Sequence, residues 1–190
     1  RIMDFRKPMM RFCGQDRSET HQVQDYPVFN GKYSTTCYID ETLHALADMY
    51  ERRGIDAAEH IRSIPHIFMH RPYRRMPENG LAVAWMWALA QGGTEEHAEL
   101  ARYAEPAGMP VEAVIEELTS QHDVSALADA DHLNEDAMPL TMGLIRAFRA
   151  SDAFQSIVLD KLSLGSERMR DLGNLYTAAL PAWMAAGFEE

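Results

Sequence analysis

The chain has 190 residues, 46% of them hydrophobic, which suits one ordinary domain with enough apolar content to bury a real core. Its net charge of −11 argues against nucleic acid as a general partner, because phosphate binding needs a basic face, though Arg71, Arg74 and Arg75 supply a local basic patch. Cys13 and Cys37 are too few for a disulfide framework and point to a reduced, cytoplasmic setting, and no apolar run approaches the roughly 20 residues of a membrane span.

Residues Arg1 to Lys32 lack helical periodicity and are punctuated by Pro8, Gly14, Pro27 and Gly31, a pattern of short strands and loops with a turn at Val28–Lys32. Ser34 or Thr35 is then placed to cap a helix from about Thr36 to Arg53, ended by Gly54. Pro65 precedes a short apolar run, Ile67 to Met69, that reads as a strand. A second helix spans Leu81 to Gln91 before Gly92-Gly93. From Thr94 to Asp136 the chain turns acidic and rich in alanine. Glu95, Glu96, Glu99, Glu112, Glu116 and Glu117 fit the solvated faces of short helices in a surface insertion. Helices are expected again from Pro139 to Phe154 and from Asn174 to Phe188. The last of these is almost without charge, as a buried helix would be.

The segment Phe68-Met69-His70-Arg71-Pro72-Tyr73 carries the strongest chemical signal. A strand that ends at His-x-Pro-Tyr presents an imidazole at its carboxyl end, where α/β folds usually build their sites. A lone histidine beside an apolar run is more often structural, so the neighbouring motifs decide its reading. A zinc site at His60, His66 and His70 is disfavoured. A strand alternates faces, so His66 and His70 would need a third ligand on the same side, and no cysteine or carboxylate is placed to complete the set.

Four segments in order resemble the carboxyl-terminal half of the 3-hydroxy-3-methylglutaryl-CoA synthase family. They are Asp4-Phe5-Arg6-Lys7-Pro8, the run Pro27 to Ser34 leading to Cys37-Tyr38, the His70-x-Pro72-Tyr73 motif, and Gly173-Asn174-Leu175-Tyr176-Thr177-Ala178. An acidic stretch lies between the last two, matched by position and not by residues. The resemblance covers most of Asp4 to Glu190. It implies an α/β fold: a thiolase-like, layered αβαβα half-domain with an added acidic helical insertion at about 94–136. It implies an acyltransferase of mevalonate formation that joins acetyl-CoA to acetoacetyl-CoA through a cysteine acyl-enzyme. These CoA thioesters are substrates, and no cofactor is called for.

By resemblance, His70 matches the histidine that contacts the acetoacetyl group, and Asn174 matches the asparagine that orients the same end. An imidazole N–H can stabilise a ketone oxygen as it becomes an alkoxide, and an amide at a helix start adds a donor to the helix's positive end. Asn174 also fits a plain helix cap. Arg75 stands where the family has a CoA-binding lysine, with Arg74 beside it. A planar guanidinium differs from an ammonium, and a solvated surface cluster is the equal alternative. Tyr176 is a candidate neighbour of the substrate. Cys37 reads as packing, and Cys13 has no histidine close in sequence to activate it.

The family's nucleophile and its glutamate base belong to the amino-terminal half, so the chain, which begins at Arg1, reads as a piece of a larger homodimeric enzyme and should be inactive alone. Two other readings stay open. One is the related synthase that installs β-branches on polyketides, with the arginines meeting an acyl carrier protein. The other is a non-catalytic, thiolase-like partner subunit.

Overall fold

The computed structural model describes residues 31–120, 137–170, 172, 175 and 178–190. Among these residues the regular structure is helical and no strand occurs. The layered α/β arrangement expected from the resemblance is therefore not what they form. The expected strands before residue 31, the segment Asp4–Pro8, Asn174 and Tyr176 lie outside the described residues, as does the end of the acidic stretch from 121 to 136.

Helix α1 (Gly31–Arg53) begins earlier than the Ser34/Thr35 cap suggested. The reason is visible in its hydroxyls. Thr35, one of the two expected caps, shares its hydroxyl with Tyr73 at 2.7 Å, and the neighbouring Thr36 Oγ1 donates back to the Lys32 carbonyl at 3.0 Å, so these hydroxyls serve elsewhere than at a helix start. Gly54 ends α1 in the left-handed conformation (φ 60°), its N–H donating to the Tyr50 carbonyl at 2.9 Å. Asp56 then caps α2 (Ala57–Ser63) by accepting from the Glu59 N–H at 2.6 Å.

Helix α3 (Arg75–Gln91) is the axis of the fold. Every residue from Leu81 to Ala90 is buried, and the helix has no polar face along that stretch. Such a helix must be enclosed on all sides, and α3 packs against α1, α2, the three helices next along the chain and the 155–159 segment. It starts six residues before the expected Leu81. Pro77 lies in its first turn, where a missing N–H costs no intrahelical bond.

The acidic stretch departs most from its sequence reading. Helices α4 (Thr94–Ala104) and α5 (Val111–Thr119) do point carboxylates outward, yet Leu100, Ala104, Val114 and Leu118 are buried in the main core. They are structural walls of α3, not a surface appendage. Glu117, expected on a solvated face, instead accepts from the backbone N–H groups of Leu140 (3.1 Å) and Thr141 (2.6 Å) at the start of α6 (Pro139–Phe148). A carboxylate there meets both the unpaired N–H groups and the positive helix end.

The single helix expected from Pro139 to Phe154 is broken. Ser151 Oγ accepts from the Phe154 N–H at 3.3 Å, which starts α7 (Asp152–Phe154) afresh before a π-helical segment, Gln155–Leu159. Helix α8 (Ser166–Met169) and helix α9 (Ala179–Phe188) close the described chain and pack on each other. Their approach depends on Gly165, at φ 77°, where a Cβ would lie 3.0 Å from the Trp183 carbonyl oxygen. Helix α9 is apolar throughout, but Leu180, Met184 and Phe188 are exposed, so the expectation of a buried last helix is corrected. No helix among the described residues is long and apolar enough to cross a membrane.

Candidate functional site

The apolar run Ile67–Met69 is irregular backbone, not a strand. Among the described residues its Ile67 N–H donates to the Lys161 carbonyl at 2.8 Å, in a turn. Lys161 is itself buried and its ammonium donates to the carbonyls of Arg62 and Ile64 at the end of α2. That desolvation pushes its pKa below the ordinary lysine value. The loop entering the His70 motif is thus anchored from beneath by one lysine.

The motif itself is pinned residue by residue. Phe68 lies against Gly187 of α9, where a Cβ would come within 2.7 Å of its ring. The Met69 methyl lies beside Gly80 of α3, where a Cβ would meet it at 3.2 Å. The His70 carbonyl accepts from the Tyr38 hydroxyl of α1 at 2.9 Å. Tyr73, though exposed, shares a 2.7 Å hydrogen bond with Thr35 of the same helix. His70 itself is half-buried.

The three arginines do not form one patch. Arg71 turns inward, donating to the Leu162 carbonyl and, at 3.3 Å, to Ser166 Oγ, with its guanidinium 3.8 Å from the centre of the Trp183 ring. Burial pushes its pKa below the usual arginine value, opposed by Tyr38 and Glu78. Arg74 is exposed and pairs at 3.2 Å with the buried Glu78, which also holds Arg149 at 3.0 Å. Arg75 is exposed at the first position of α3. Of the sequence-derived site residues, the structure places His70, Arg74 and Arg75 within six consecutive positions at the entry to α3. Asn174 and Tyr176 fall outside the described residues, and the described helix that follows them begins at Ala179.

Tyr38, Ser166 and Trp183 were not legible as site residues. Tyr38 occupies an apolar position of a helical pattern and reads as core. Trp183 is one aromatic in an alanine-rich helix, and only its pairing with an arginine over a hundred positions away gives it meaning. Burial pushes the Tyr38 phenol up to about 12, with nearby Arg71 acting in the opposite direction. The folded state therefore favours the neutral phenol. Its contribution is complete below the ordinary value of 10.0 and is lost as pH climbs through about 12. Tyr38→Phe should cost about 1 kcal/mol at neutral pH through the lost bond to His70. It should also flatten the loss of stability above pH 10, as urea midpoints taken across that range will report.

A cavity of about 490 Å³ opens elsewhere on α1, lined by Asp40, His44, Tyr50, Glu51, Asp56 and Trp87 among others. His70 is not in its lining, and its carboxylates would repel a CoA phosphate. No family model, curated protein or solved structure matches this chain.

Proposed function

We propose that the chain is the carboxyl-terminal part of a 3-hydroxy-3-methylglutaryl-CoA synthase, acting in the cytoplasm on acetyl-CoA and acetoacetyl-CoA. The observation that carries this reading is convergence. Two segments of the resemblance, separated by more than thirty positions, meet through the Tyr38–His70 and Thr35–Tyr73 hydrogen bonds. The helix that follows the Gly173–Ala178 segment joins them, through Trp183 on Arg71 and Gly187 on Phe68. The three segments thus pack on the loop that carries His70.

In this reading His70 donates to the acetoacetyl ketone oxygen, Asn174 orients the same end, Arg75 and Arg74 meet the CoA moiety, and Tyr176 lines the substrate. The nucleophilic cysteine and the glutamate base belong to the amino-terminal half. The withdrawal of Arg71 into the protein weakens the carrier-protein alternative, because a surface for an acidic carrier keeps only Arg74, already paired with Glu78, and Arg75.

The test has two arms. The complete protein, assayed with both CoA thioesters, should release the condensed product. The 190-residue chain, incubated with labelled acetyl-CoA, should take up no covalent acetyl group on Cys13 or Cys37, because in this reading the nucleophile and the base that serves it both belong to the amino-terminal half. Cys37 is half-buried within α1. Stoichiometric acetylation of either cysteine would overturn this assignment of roles.

A further inference from the structure

We propose that Arg71 is the positioning residue for His70, clamping the segment that carries the imidazole onto α8 and α9. The inference rests on the role given to His70 above. Three contacts made by one side chain carry it. One nitrogen donates to the Leu162 carbonyl, a second donates to Ser166 Oγ at 3.3 Å, and the flat guanidinium sits 3.8 Å from the centre of the Trp183 ring. Only a planar fork can bond two acceptors at its edge while stacking its face on an indole; an ammonium cannot.

The clamp acts on a segment with no regular structure of its own. Residues 66–71 lie between α2 and α3 without helix or strand, so side-chain ties set the backbone path. Tyr38 holds the His70 carbonyl from α1, and Arg71, the next residue, holds the same strip of chain from the opposite elements. Together they fix the peptide plane between His70 and Arg71, and the Met69 contact beside Gly80 holds the chain on the other side, so the His70 Cα is held from both directions. With the Arg71 restraint released, the Tyr38 bond becomes a pivot. An imidazole misplaced by about 1 Å can lose on the order of a hundredfold in rate.

Gly165 belongs to the same device. A Cβ there would press on the Trp183 carbonyl, so the glycine lets α9 bring its indole over the guanidinium.

The experiment uses the imidazole resonances of His70 in the 190-residue chain and the kinetics of the complete protein. Arg71→Lys and Arg71→Met should both displace or split the His70 signals. In the complete protein they should lower kcat for condensation at least about tenfold, with KM and acetyl transfer close to unchanged. Trp183→Phe keeps an aromatic face and should preserve the His70 spectrum, whereas Trp183→Ala should reproduce Arg71→Met. Should Arg71→Met fail to fold, Ser166→Ala and Trp183→Ala carry the same test at smaller perturbation. A His70 spectrum and a kcat unmoved in these variants, whatever their stability, would overturn the proposal. A wild-type protein without condensing activity would instead sink the functional reading. The spectrum alone would then decide whether the clamp exists.

Discussion

On the proposed function, replacing His70 by alanine in the complete protein is expected to cut condensation by a factor of hundreds while leaving acetyl transfer to the cysteine nearly intact. The expected magnitude is that of losing one donor aimed at a developing oxyanion, about 3–4 kcal/mol. The structure makes this a clean substitution. The Tyr38 hydroxyl bonds the His70 backbone carbonyl, which alanine retains, and Phe68, Met69 and Arg71 keep their own contacts. The folded state should therefore survive, and thermal unfolding should change little. Separate assays of acyl-enzyme formation and of condensation distinguish the two steps. Normal condensation by His70→Ala would show that the histidine takes no part in the chemistry, and the functional reading would lose its centre.

The motif was legible in the sequence because it is local. His70, Pro72, Tyr73 and the arginines lie within six positions, and an apolar run leading into proline marks the place where regular structure stops. Its supports were not legible, because they are non-local. Nothing in the pattern around Tyr38 distinguishes a hydroxyl that reaches a carbonyl thirty-two positions away from one that faces solvent. Arg71 looked like its neighbours Arg74 and Arg75 in the sequence, and only packing separates a buried guanidinium from two exposed ones. The strand reading of Ile67–Met69 failed for a related reason. Three apolar residues fit a strand or a loop docked onto helices equally well, and the presence of Gly80 and Gly187 as docking surfaces decides for the loop. Helix existence was readable from long periodicity in α1 and from an unbroken apolar run closed by Gly92-Gly93 in α3. Helix starts were not, because hydroxyl back-bonding in α1 and a first-turn proline in α3 both hide the true beginning.

Charge misled most in the acidic stretch, and the correction sets the second large expectation. Deleting residues 94–119 should abolish cooperative folding of the chain, not trim a surface feature. Dense glutamates describe the outer faces of α4 and α5 but say nothing of the inner ones, where Leu100 and Val114 are fully buried and Leu118 nearly so. Burying three such side chains contributes roughly 5–9 kcal/mol, taking about 1.5–3 kcal/mol for each. A whole domain retains only about 5–15 kcal/mol of net stability. The deletion also strips cover from α3, which has no polar side to offer water, and removes the Glu117 carboxylate from the start of α6. A graded version of the experiment keeps the result interpretable. Leu118→Ala should cost about 2–5 kcal/mol. Glu117→Gln should cost less, because a neutral amide oxygen can still accept from the Leu140 and Thr141 N–H groups but without the charge. Urea unfolding followed by tryptophan fluorescence measures all three, since Trp85 and Trp87 sit in the core that α3 forms. A deletion variant that still unfolds in one sharp transition, with its tryptophans shielded, would show that α3 finds its enclosure elsewhere and that the stretch is an appendage after all.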